Sequence, residues 1–162
     1  MTAGPFSMML AGLLAVLLTV AAVSDLRHRI ISNRLNLTIA LTAPLAWWYA
    51  DMALWPDIAL QIGVAFAVFA AFVALFAIGG IGGGDVKMIG ALALWIDVSL
   101  LASLLMVMAL VGGVIAAVMI IRKRLSKSEQ NPELPYGVAI AAGGLWALHQ
   151  QYLNHFPLIA VT

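Results

Sequence analysis

The sequence predicts an all-α, polytopic membrane protein, and three observations predict it. Of 162 residues, 64% are hydrophobic and only 9% charged, with a mean hydropathy of +1.07. A soluble domain this small cannot bury that much apolar surface, so lipid must solvate most of the chain. The apolar residues also fall into six runs separated by short polar punctuation. Finally, lipid gives backbone N–H and C=O groups no partner, which leaves helices as the spanning form. The length fits one membrane domain over residues 1–162.

Residues 5–23 form the first run and carry no charge. Ala22-Val23-Ser24 faintly resembles a signal-peptide cleavage site. No Lys or Arg precedes the run, however, and the first base is Arg27, so a retained transmembrane helix is expected. Residues 35–50 form the second helix, with Pro44 as an expected kink. Residues 58–78 form the third, 21 residues or roughly 31 Å, enough to cross a hydrocarbon core. Residues 88–96 are too short to cross alone. A helix opening at Asp85 would be a short, tilted or partial span. Residues 98–121 and 134–148 complete about six segments. Between the last two, residues 122–133 carry four basic and two acidic residues, with Pro132 and Pro135 at the end, and read as a polar loop. Gly63, Ala67 and Ala71, Gly112 and Ala116, and Gly143-Gly144 are spaced to let helices approach closely.

Charge orients the segments. All eight basic residues (Arg27, Arg29, Arg34, Lys87, Arg122, Lys123, Arg124 and Lys127) fall on one side, which the positive-inside rule makes cytoplasmic. Asp51, Asp57 and Asp97 fall on the other. So do Trp47, Trp48, Trp55, Trp95 and Trp146, as an outer aromatic belt. Both termini are then on the outer side.

Asp25 and Asp85 meet the cytoplasmic boundary, and Asp85 follows Gly82-Gly83-Gly84. A carboxylate at a membrane boundary is costly and needs a reason. Two of them can share a proton. The ionised one then takes a proton from water, while the neutral one polarises a carbonyl and helps an amine leave. The glycines would let a substrate strand approach the backbone. Asp25 is expected past the carbonyl end of the first helix and Asp85 at the amide end of the fourth, which points to Asp85 as the base and Asp25 as the acid. The plainer alternatives are a helix cap at Asp85 and a solvated flank at Asp25 beside Arg27 and Arg29. Among other function classes stand a transporter or proton-relay component and a non-catalytic assembly subunit. A conduction path would place charge near the midplane, where this sequence has none. An assembly subunit would tolerate loss of either aspartate.

The residues also resemble a known family. Gly82-Gly83-Gly84-Asp85-Val86-Lys87 is similar to the GxGD motif of the type IV prepilin peptidases. Ser24-Asp25 with Ile31-Ser32-Asn33 resembles the family's first motif, an aspartate followed by I-P-N. Leu134-Pro135-Tyr136-Gly137 resembles the start of its last helix. GxGD alone is shared with presenilin-like proteases, and the two aspartate motifs together are the specific signal. The resemblance covers residues 10–148. It implies a six-helix fold of the GxGD aspartyl protease type, catalysis by Asp25 and Asp85, and no cofactor. It implies that Gly82, Gly84, Lys87 and Asn33 support the site. The implied reaction removes the short basic leader of a prepilin at the cytoplasmic face of a bacterial inner membrane, cutting after a glycine that precedes the pilin's hydrophobic helix. The implied partners are the prepilin and membrane lipids, with no nucleic acid. Two departures stand out. Ser32 replaces the proline of I-P-N, which predicts a looser turn. Larger members carry a cytoplasmic domain, often with two cysteine pairs, linked to methylating the new pilin N-terminus. Here the first helix leads straight to Asp25, and the chain has no cysteine. It resembles the short, peptidase-only form of tight-adherence (Flp-type) pili, from which no methyl transfer is expected.

Other residues read plainly. Absence of cysteine excludes disulfides, a thiolate zinc site and a cysteine nucleophile. His28, His149 and His155 lack metal spacing. Ser24 has no paired histidine, and no G-x-S-x-G occurs. Arg122-Lys123-Arg124 and Lys127 suit anionic lipid heads, and Glu129 and Glu133 read as solvated loop residues able to meet a basic leader. Asn33 is expected to cap the second helix.

Overall fold

The computed structural model describes residues 4–126 and 134–152. Lys127, Glu129, Pro132, Glu133 and His155 lie outside them. Among the described residues there are helices and no strands: α1 (Pro5–His28), α2 (Asn33–Tyr49), α3 (Ala59–Ala77), α4 (Gly83–Ala93), α5 (Val98–Ser126) and α6 (Tyr136–Tyr152). A π-type turn at Leu54–Ile58 leads into α3. Three stretches are long and apolar enough to cross a membrane: Pro5–His28, Leu54–Ala77 and Val98–Leu125. The α2 and α6 helices have 17 residues each and α4 only 11.

Local chemistry sets the ends. Pro5 stands in the first turn of α1, where its missing N–H costs nothing. Ser32 caps α2, the Leu35 N–H donating to Ser32 Oγ at 3.2 Å; the cap is therefore Ser32 and not Asn33. The α3 helix closes on Gly79 at φ 75°, with Gly80 N–H donating to the Leu75 carbonyl and Gly79 N–H to that of Phe76, both at 2.9 Å. This left-handed cap suits glycine because a side chain would be strained there. It turns the chain towards Gly82, the N-cap of α4.

The α4 helix packs against α2, α3 and α6. Met88, Ile89, Leu92 and Ile96 are sealed from solvent. A short helix ending inside an apolar bundle strands its last carbonyls away from water. Side chains from three other helices meet them. Gln61 Nε2 donates to the Ala93 and Ile96 carbonyls, each at 2.7 Å. Trp47 Nε1 donates to Leu94 O at 2.9 Å, and Gln151 Nε2 to Trp95 O at 3.4 Å. In return Trp95 Nε1 donates to Ile39 O, in mid-α2, at 2.7 Å.

The α6 helix packs against α1, α4 and α5. Its glycines allow this: a Cβ on Gly143 would meet the Leu104 carbonyl at 2.6 Å, and one on Gly144 would meet Leu92 and Leu18. Long apolar side chains such as Phe66, Leu110 and Val114 stay exposed, as a lipid-facing surface requires.

Several expectations are corrected. The α1 helix runs on to His28, so Asp25 lies within its last turn. The α4 helix begins at Gly83, before Asp85. The α5 helix continues through Arg122, Lys123 and Arg124, which are therefore helical and not part of a loop. Trp95 is buried and Trp47 turns its indole inward, because both serve α4 or α2 carbonyls. Trp48, Trp55 and Trp146 remain exposed. Gly63, Ala67 and Ala71 face outward, with nothing within 4 Å of where a Gly63 side chain would stand.

Candidate active site

Four helix ends converge: the C-terminus of α1 and the N-termini of α2, α4 and α6. Asp25 is buried, at 5% exposure. Its Oδ2 accepts the Gly137 N–H at 2.8 Å, and Gly137 is the second residue of α6. The Val138 amide also faces it. An α-helix leaves its first N–H groups unpaired and carries partial positive charge there. Asp25 thus sits in the last turn of one helix and against the amide end of another.

Asp85 is the third residue of α4, half-buried, and its side chain is supported by the Gly82 amide. The N-cap itself is Gly82, so Asp85 is not the simple cap. A Cβ on Gly82 would stand 2.8 Å from Asp85 Oδ2, so glycine there leaves the carboxyl its room. Asp85 lies outside the three spanning stretches. Its carboxyl is raised to about 6, by burial first and by the negative charge of Asp25 second, against the opposing Gly82 amide. The two carboxyls are therefore close enough to feel each other.

The motif residues are held by long-range contacts. Ile31, buried in the α1–α2 loop, lies against both glycines: a Cβ on Gly84 would meet Ile31 at 3.3–3.6 Å, and one on Gly137 would meet Ile31 Cδ1 at 2.7 Å and Asp25 Oδ2 at 2.9 Å. Lys87 Nζ donates to Asn33 Oδ1 at 2.8 Å, tying α4 to α2. Ser24 Oγ donates to the Ile30 carbonyl at 2.7 Å, which explains Ser24 as a loop anchor. Asp25, Asp85, Gly82, Gly84, Lys87 and Asn33 thus share one end of the bundle. Arg27 in the last turn of α1, Arg29 in the α1–α2 loop and Arg34 in the first turn of α2 stand exposed at the same end.

Sequence reasoning missed Asn36. It is buried at 4% exposure, and its Nδ2 donates to the Gly84 carbonyl at 3.0 Å. A polar residue between Leu35 and Leu37, at the start of an apolar run, was the available signal. It also did not give Gly137 its contact with Asp25. Among the described residues no group of His, Asp or Glu is placed to hold a metal.

What the arrangement can do follows from the two anchors. Asp25 is anchored by the Gly137 amide of α6. Asp85 has the raised value and the neighbouring negative charge. Together they can hold one proton.

The sequence profile of the Type IV leader peptidase family matches residues 12–121. The Prepilin leader peptidase/N-methyltransferase of Bacillus subtilis (strain 168) is 31% identical over 138 residues, covering 81% of this chain and 51% of that protein. The chain thus spans about half the length of this relative. No solved structure matches it.

Proposed function

This chain belongs to the type IV leader peptidase family, and from that premise we propose that it is an aspartic endopeptidase that removes the leader of a prepilin. The observation that carries the reading is the paired environment of Asp25 and Asp85. Two carboxyls on separate helices interact electrostatically, and each meets the amide end of a helix. A pair with one shared proton supplies both halves of amide hydrolysis.

In the proposed reaction Asp25 is the base that takes a proton from water. Asp85 holds the proton that polarises the scissile carbonyl and later passes to the amine. Lys87 with Asn33, and Gly82 with Gly84, keep Asp85 in place. The basic end of the bundle, with Arg27, Arg29 and Arg34, supports a cytoplasmic site and outer termini in a bacterial inner membrane. The resemblance to short family members supports an Flp-type prepilin as substrate, with lipids as the surrounding partner.

The test is co-expression with candidate small prepilins, comparing leader removal by the unaltered chain with Asp25→Asn and Asp85→Asn. Loss in both variants is expected. Undiminished processing by either would overturn the proposal and favour an assembly role.

A further inference from the structure

Asn36 is a costly residue for the fold. It is buried on α2 at 4% exposure, and its Oδ1 is sealed inside the protein without a hydrogen-bond partner. A buried acceptor left unpaired destabilises the folded state. The side chain cannot escape this by turning over. Its Nδ2 donates to the Gly84 carbonyl at 3.0 Å, and a flipped amide would set two acceptor oxygens against each other.

Gly84 does not need this donor. It lies inside α4, where the helix ladder brings each carbonyl an N–H from four residues on. A carbonyl has a second lone pair, and Asn36 uses it. Leucine matches asparagine in side-chain heavy atoms and has no polar one. Asn36 borders an apolar groove with Leu37, Ala40 and Ala91, so an apolar residue there would serve stability better. A polar side chain held in the core at such a cost, with its one contact beside a reactive group, points to a role at that contact.

Gly84 directly precedes Asp85. It also lies flush against the α1–α2 loop: a Cβ on it would stand 3.3 Å from the Ile31 carbonyl oxygen and 3.4 Å from Ile31 Cβ. Ile31 in turn lies against Gly137, whose N–H anchors Asp25. The loop that receives the start of α4 is thus the loop that touches the anchor of the other carboxyl.

From this we infer that Asn36 is a positioning residue for the peptidase reaction: through the Gly84 carbonyl it fixes the first turn of α4 against Ile31, and so sets where the Asp85 carboxyl stands relative to Asp25. The inference rests on the peptidase reading above, and adds a residue that acts through Gly84 and not on the substrate.

Asn36→Leu and Asn36→Ala both remove the donor and the lone acceptor together. In detergent, Asn36→Leu should unfold at a temperature no lower than the unaltered chain. On a prepilin its kcat should fall about tenfold or more while KM stays within about twofold, as a displaced catalytic group predicts. Asn36→Ala should show the same kinetic split. Gln61→Leu is the contrast: it should unfold at lower temperature and, below that transition, keep its kcat. Infrared titration reads the displacement without substrate. The upper ionisation step of the Asp25–Asp85 pair, identified by its loss in Asp85→Asn, should move down by about half a pH unit or more in Asn36→Leu, as Asp85 leaves its buried place. An unchanged kcat, or a KM rise that accounts for the whole loss, would overturn the inference. So would failure of both variants to fold, since Asn36 would then serve the fold. If the unaltered chain cleaves no prepilin, the peptidase reading falls and the titration alone judges Asn36: a moved step upholds its hold on Asp85, and an unmoved one refutes it. If the unaltered chain cleaves normally and Asn36→Leu does so too, this inference alone falls.

Discussion

The backbone N–H of Gly137 donates to Asp25 Oδ2 at 2.8 Å across 112 positions of sequence. This one contact joins the end of α1 to the start of α6 and places partial positive charge on a buried carboxyl. Glycine at the donor leaves the carboxyl its place, because a Cβ there would meet Asp25 Oδ2 at 2.9 Å and Ile31 Cδ1 at 2.7 Å, and one of them would have to shift.

Gly137→Ala should therefore displace the Asp25 carboxyl while leaving the helices formed. Leader removal should fall about 100-fold in kcat, the scale of a small misplacement of a catalytic group. Single-turnover processing of a prepilin, with circular dichroism as the folding control, measures it. Activity within twofold of the unaltered chain would show that the contact does not position Asp25.

The pH profile follows from Asp85. Its value is raised from the ordinary 3.8 to about 6, so the folded state holds an extra proton between those values. Folding stability from this group falls as pH rises through that window. If Asp85 holds the working proton, kcat/KM should also fall as pH rises through about 6. The profile reports the coupled pair and not one residue. A rate that instead climbs through this value would return the base's role to Asp85. Infrared titration of the single Asn variants checks the same point: the carboxyl left in Asp85→Asn should ionise at lower pH than the one left in Asp25→Asn.

Gln61→Leu should destabilise the fold without altering the pH profile. It removes the donor to two carbonyls of the α4 end, inside a region that water does not reach. Each orphaned buried carbonyl costs roughly 1–3 kcal/mol. Thermal unfolding in detergent reads the loss. An unchanged transition would mean that other groups close α4.

Asn33→Ala should act more gently. The Lys87–Asn33 bond is exposed, and exposed charged contacts contribute about 1 kcal/mol or less. A small fall in melting temperature and a several-fold loss of kcat are expected. A loss as large as that of Asp85→Asn would give Asn33 a direct part in the chemistry.

Methyl transfer to a processed pilin is expected to be absent from this chain. Only residues 29–32 separate α1 from α2, and the cysteine pairs linked to that activity are missing. Labelled methyl appearing on a processed pilin with purified protein would refute this.

The sequence by itself determined the fold class and the two carboxyls. Apolar runs and helix signals are local, and their period can be read without neighbours. Asp25 and Asp85 stood out because charge is rare in such runs. Helix lengths were read less well: capping by Arg29 and Gly82 extended α1 and α4 beyond their apolar stretches. Trp95 read as an interfacial aromatic, but a short α4 needed closing from within. Only the tertiary structure decided that Gly137 serves Asp25, that Asn36 holds Gly84 from 48 positions away, and that Gln61 ends α4. Each of these pairings depends on which helix faces which. Hydropathy leaves that open, since every apolar face is equally content against lipid or against another helix.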